Sequence, residues 1–129
     1  MKKDIEIPEV KNVTIAVVRE DQEWRVYLIN NNDVPINNTL VSSTGYGEKD
    51  GEQQKTSTLR HFLETVPANS STLVEPINEN VFHLNNEYWV SYYIANQIYD
   101  KKFVFVPESI KEENLTYIKE LEMEGVLHS

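Results

Sequence analysis

Residues 87–107, EYWVSYYIANQIYDKKFVFVP, alternate between two sets of side chains with a period of two. That period belongs to a β-strand, whose successive side chains point to opposite faces. Tyr88, Val90, Tyr92 and Ile94 fall on one face, and Trp89, Ser91, Tyr93 and Ala95 on the other. Asn96-Gln97 and the cluster Asp100-Lys101-Lys102 offer two places to turn, and residues 103–106 form a return strand. The stretch reads as a long hairpin, the spine of an antiparallel β-domain.

The pattern recurs upstream. Residues 2–9 read as a short edge strand ended by Pro8, which lacks a donor. Residues 11–19 form a β-branched strand with Val13, Ile15 and Val17 on one face. Glu20-Asp21-Gln22 is a polar turn, and residues 24–30, WRVYLIN, come back as the second arm of a hairpin. A loop rich in asparagine and ended by Pro35 precedes a weaker strand at 36–44. Residues 45–54 read as the longest polar loop, with Tyr46 held between two glycines. Residues 55–66 admit two readings. Leu59, Phe62, Leu63 and Val66 have helical spacing, but the Thr-Ser-Thr opening and the short length favour a strand, and a strand is taken. Residues 71–77 and 81–84 supply two more.

Seven to eight strands with turn signals roughly every ten residues predict an all-β fold, an immunoglobulin-like antiparallel β-sandwich. A small barrel is the alternative. The tail changes period. Ser109-Ile110-Lys111-Glu112 has the form of a capping box. Ile110, Asn114, Tyr117, Ile118 and Leu121 make one helical stripe, and Gly125 is a C-terminal stop. A C-terminal α-helix is therefore expected over 110–124. Residues 1–107 are the sandwich, and 108–129 are the helix and tail of the same domain. One face of each sheet is left outside the core of a two-layer sandwich. The helix is accordingly expected on the outer aromatic face, in its own subunit or against a second copy, and detachable from the sandwich. Trp89, Tyr93, Tyr117 and Leu121 are the interface candidates, because aromatic residues are enriched at contacts.

Composition narrows the function. A chain of 129 residues fits one domain. With no cysteine it has neither disulfides nor thiolate metal sites. The N-terminal MKKDIEIPEV lacks the apolar core of a signal peptide, and the apolar runs are too short to span a bilayer, so a cytoplasmic location and no membrane partner are expected. The net charge of −9, from 12 basic and 21 acidic residues, opposes general nucleic-acid binding, which depends on neutralising phosphates. The expected partner is another protein, a homodimer included.

Catalytic motifs are missing. His61, His83 and His128 have no metal-ligand spacing. There is no G-x-S-x-G elbow and no phosphate-binding glycine loop. No enzymatic activity, cofactor or metal is expected. The strongest candidate patch joins Gly45-Tyr46-Gly47 to KTSTLRH at 55–61. Tyr46, Lys55, Ser57, Arg60 and His61 together suit a small anion or an acidic partner strand. The competing reading is that Lys55 and Arg60 merely neutralise Glu48, Asp50, Glu52 and Glu64. A non-enzymatic interaction module is thus the first functional reading, and a small-anion or small-ligand binder the second.

Several segments, MKKDIEIP, WRVYLIN, GYG, KTSTLRH and LNNE, resemble a family of small bacterial proteins. The likeness covers most of the chain up to about Pro107. Some members of that family carry the name phenylalanyl-tRNA synthetase subunit, so the resemblance implies a synthetase-associated role as a third reading. The arginine-bearing ATP motif and the glycine-rich arginine motif of a class II synthetase are absent here. The resemblance marks GYG and KTSTLRH as patches of interest and assigns no residue a role.

Overall fold

A computed structural model describes residues 11–128; the expected strand at 2–9 lies outside them. The described chain forms two antiparallel sheets. In chain order the strands are β1 (Val13–Glu20), β2 (Glu23–Asn30), β3 (Ile36–Lys49), β4 (Glu52–Lys55), β5 (Leu59–Val66), β6 (Ser70–Ile77), β7 (Asn85–Ile94), β8 (Gln97–Phe105), β9 (Thr116–Ile118) and β10 (Met123–His128). The first sheet runs β6-β2-β1-β10-β9. The second runs β4-β3-β7-β8, with β5 pairing β3 beyond β4 on the same edge. The sandwich reading holds, and residues 59–66 are a strand.

The alternation expected in the sequence builds the core. Val13, Ile15 and Val17 from β1 and Trp24, Val26 and Leu28 from β2 pack against Val41, Tyr88, Val90, Tyr92, Phe103 and Phe105 from the second sheet. Burial of side chains this large is the main force holding the layers together, at about 1.5–3 kcal/mol each. Aromatic edges add directionality: Tyr88 meets Phe105 at 83° and Trp24 meets Phe82 at 86°. Asn30 is fully buried. Its amide donates to the carbonyls of Val34, Val66 and Pro67, so one side chain fastens two loops at one end of the sandwich.

Turn chemistry sets the registers. Asp21 and Gln22 both have positive φ, 53° and 66°, and join β1 to β2 in the primed geometry that matches strand twist. Asp50 and Gly51 repeat this at 54° and 80°. The stretch expected to be the longest polar loop is therefore a hairpin, in which β3 runs on to Lys49 and β4 returns. The spine hairpin closes at Ala95-Asn96, since Ile94 pairs with Gln97. Asp100, Lys101 and Lys102 lie inside β8.

The C-terminal helix expected over 110–124 does not form. Among the described residues, 112–114 make one 3-10 turn, and the rest becomes β9 and β10. The reason lies in the competition. A solitary helix of this length is marginal, whereas β1 offers a full ladder, which β10 takes through Ile15, Ala16, Val17 and Val18. Ile110 is buried in the main core. The tail is thus part of the sandwich, and the expectation that it detaches is overturned. Gly125 is no helix stop. A Cβ there would stand 2.8 Å from the Val17 carbonyl oxygen and 2.9 Å from Ile118 Cδ1. The missing side chain lets Ile118 reach across β10, and Ile118 packs with Ala16, Val18 and Ile29 in a second small core. Tyr27, Leu121 and Met123 border it.

Candidate functional site

The tail joins the first sheet beside β1, and no described segment lies over the outer face of the second. Residues on it follow from register. Arg60 pairs with Ser42, Ser42 with Trp89, and Trp89 with Lys102. These four side chains form a row across β5, β3, β7 and β8, because directly opposed residues share a face. The next row is Phe62, Leu40, Ser91 and Asp100. Lys55 pairs with Tyr46 at the other end. A groove of about 450 Å³ is lined by Ser42, Thr44, Tyr46, Lys55, Thr58, Arg60, Glu87 and Trp89. Its floor is fixed by the hydroxyls of Thr44 and Thr58, 2.8 Å apart.

Four large apolar side chains on this face are exposed together. Leu40 is 37 % exposed, Phe62 60 %, Trp89 45 % and Tyr93 37 %. The Lys102 ammonium lies 5.2 Å from the Trp89 ring centroid, within cation–π range. Among the described residues, the side chains of Lys55 and Arg60 make no ion pair or hydrogen bond. The acids Glu48, Asp50, Glu52 and Glu64, expected as their neutralising partners, form no ion pair with them. The other two arginines are engaged, Arg19 with Glu112 and Arg25 with Glu20 and Glu23.

The sequence-derived patch is divided between two surfaces. Tyr46, Lys55 and Arg60 line the outer groove. His61 points the opposite way, as alternation requires, and its Nε2 lies 2.6 Å from Glu75 Oε1. Ser57 lines a separate cavity of about 190 Å³ beside Glu75 and Tyr88. Lys55 belongs to β4 and His61 to β5, so the segment read as one strand over 55–66 is broken between them and Lys55, Ser57 and His61 share no strand face.

Glu75 is the inward counterpart of that outer row. It comes from β6 in the first sheet, and all its partners come from the second. Ser43 Oγ donates at 2.9 Å to the oxygen that meets His61, and Tyr88 OH donates at 3.1 Å to the other. Its side chain is only 10 % exposed. Burial and the neighbouring Glu75 carboxylate push the Tyr88 hydroxyl well above its ordinary pKa of 10.0, which keeps it a donor. Ser43 and His61 both spend their bonds on Glu75, so the cluster is an inter-sheet clasp with no relay from serine to histidine.

The interface candidates also separate. Trp89 and Tyr93 stand on the open face. Tyr117, 66 % exposed, is on β9 in the first sheet, and Leu121 packs on the second small core. The tail therefore does not cover the aromatic face. Sequence reasoning missed Leu40, Phe62 and Lys102 as members of that face. Alternation along β3 and β5 carried the signal for the first two. Lys102 needed the correct hairpin turn, which alone puts it opposite Trp89.

Among the described residues no three histidines or carboxylates are grouped for a metal ion, and no helix is long and apolar enough to cross a membrane. No family model, curated protein or solved structure matches the chain.

Proposed function

We propose that the protein is a non-enzymatic interaction module that docks another protein on the outer face of its second sheet. The observation that carries this reading is the joint exposure of Leu40, Phe62, Trp89 and Tyr93 on one face. Contiguous apolar surface of this kind marks contact sites on soluble proteins. The strand order supports an immunoglobulin-like reading of the scaffold. With β1, β2, β3, β5, β6, β7 and β8 taken as A, B, C, C′, E, F and G, the sheets are A-B-E and C′-C-F-G. The β9–β10 hairpin is then an addition beside A.

The test compares wild type with a Phe62→Ser/Trp89→Ser double variant in pull-downs from the source cells. The variant keeps its melting temperature within about 2 °C and loses the partner. A partner held equally by both proteins overturns the reading. The small-anion alternative is favoured by one observation, the groove between Tyr46, Lys55 and Arg60. Under that reading phosphate or a carboxylate raises the melting temperature with concentration, and Arg60→Ala abolishes the rise.

A further inference from the structure

We infer that the partner presents an extended acidic segment, two carboxylates flanking an apolar side chain, laid across the strands of the second sheet between Arg60 and Lys102. This rests on the docking face proposed above and names what that face selects.

Charge is the first argument. The chain carries 21 acidic residues and only 12 basic ones, yet three cations, Lys55, Arg60 and Lys102, stand on this face. None of the three makes a side-chain hydrogen bond or ion pair among the described residues, and Lys102 lies over the Trp89 ring instead. An acidic protein that leaves cations unspent beside exposed aromatic rings is complementary there to negative charge with apolar character. Complementary potentials of this kind steer association and fix register. Glu87 lines the groove and Asp100 ends the second row, so a highly charged polyanion is disfavoured. A nucleic acid would bring one phosphate per nucleotide against a net −9. A segment with two carboxylates needs only two local contacts.

Geometry gives the spacing. Neighbouring strands lie about 4.8 Å apart, so Arg60 on β5 and Lys102 on β8 are separated by about 14 Å. In an extended chain, residues i and i+4 are also about 14 Å apart, and i, i+2 and i+4 point the same way. Acidic residues at i and i+4 therefore reach the two cations, while the residue at i+2 lies against Trp89 and Leu40. The recognised pattern is acid-x-apolar-x-acid. Arg60, with no side-chain partner among the described residues, can hold a carboxylate with two parallel bonds, and Lys102, already over Trp89, supplies a point charge.

The probe is the blocked heptapeptide acetyl-SESLSES-amide, titrated into the isotopically labelled protein at low salt. The Trp89 indole N–H and the amides of Arg60 and Lys102 should shift. The Trp24 indole, bonded to Glu79 at 3.0 Å, is the internal reference and should not. Replacing both glutamates by glutamine removes two exposed ion pairs, about two- to five-fold each, and should weaken binding about ten-fold. An Arg60→Glu/Lys102→Glu protein should lose SESLSES and bind SKSLSKS instead. A glutamine peptide that binds as well as the acidic one overturns the inference. So does a dT oligonucleotide that moves the same resonances at lower concentration. If the peptide fails while Phe62→Ser/Trp89→Ser still loses its cellular partner, the acidic segment is wrong and the docking face stands. If that variant keeps the partner, both fall.

Discussion

The two sheets face the same difficulty on their outer sides and end differently. Outside the first sheet lie Ala16, Val18 and Ile29, all essentially buried. The chain sets its own C-terminal hairpin beside β1 and packs Ile118, Leu121 and Met123 against them. Outside the second sheet lie Leu40, Phe62, Trp89 and Tyr93, which no described segment covers. On the covered side Arg25, directly opposite Val18, is paired with Glu20 and Glu23, and Gly125 leaves room for Ile118. The open side is ringed by Lys55, Arg60 and Lys102. Leu73 and Leu127 on the first sheet stay 46 % and 49 % exposed, so exposure alone does not separate the two sides. The second sheet differs in setting its exposed rings among cations, as Lys102 lies over Trp89, a composition suited to contact.

The harshest way to break the comparison is to remove the cover. Truncation after Pro107 deletes Ile110 from the core and β10 from the ladder on β1. Such a protein is expected to be unfolded at 25 °C by circular dichroism. A folded truncation would mean that the tail is an accessory. Next come single residues. Ile118→Ala should cost about 2–4 kcal/mol in urea unfolding, as buried aliphatic truncations do. Gly125→Ala, forcing a Cβ against the Val17 carbonyl, should cost about 1–3 kcal/mol. Trp89→Ala and Phe62→Ala on the open side should stay within about 0.5 kcal/mol of wild type. Equal losses on both sides would erase the distinction.

These contrasts explain what was legible. Alternation in 87–95 placed Tyr88, Val90 and Tyr92 inside and left Trp89 and Tyr93 facing away, because a period of two is a local property. The all-β layering followed from the same signal. The tail was not legible in that way. Ile110, Tyr117, Ile118 and Leu121 do have helical spacing, and only a ladder partner distant in sequence, β1, decides against it. The Asp50-Gly51 turn is different. That dipeptide is among the strongest local hairpin signals, and reading its surroundings as a polar loop gave composition more weight than turn chemistry. The candidate patch failed halfway for a related reason. Its members were grouped by nearness in sequence, while Arg60 and His61, adjacent residues, belong to opposite faces.

That adjacency gives a medium-sized test. Removing the clasp acceptor with Glu75→Ala strands the buried Tyr88 hydroxyl and Ser43, and should cost about 1–3 kcal/mol. Arg60→Ala, one residue from the clasp histidine, should leave stability within about 0.5 kcal/mol while weakening the acidic peptide. A smaller effect of opposite sign is expected at Ala95, whose φ of 55° is unfavourable for a residue with a Cβ. Ala95→Gly should stabilise by about 0.5–1 kcal/mol. A loss there would mean that the turn relaxes in solution.

The smallest effect concerns how the cover is latched. Asn31 Nδ2, in the loop after β2, donates at 2.9 Å to Glu120 Oε2 in the β9–β10 turn. This bond to the ionised form, helped by a backbone bond of Glu120 itself, holds the carboxyl below its ordinary value of 4.5. The sign follows from linkage. A carboxyl whose pKa is lower in the folded state adds stability that is fully present above 4.5, and that is lost as pH falls through the lowered folded value. The group is largely exposed, so solvent screening keeps the gain small. Global unfolding, to which all 21 acidic residues contribute, would hide it. Local opening of the hairpin is the better readout. Amide protection across Met123–His128 should be slightly higher in wild type than in Glu120→Gln at neutral pH. The gap should close on acidification through the carboxylate range, and Asn31→Ala should remove it at every pH. A gap that persists unchanged at low pH would mean that side-chain packing at Leu121, and not the charge, latches the cover.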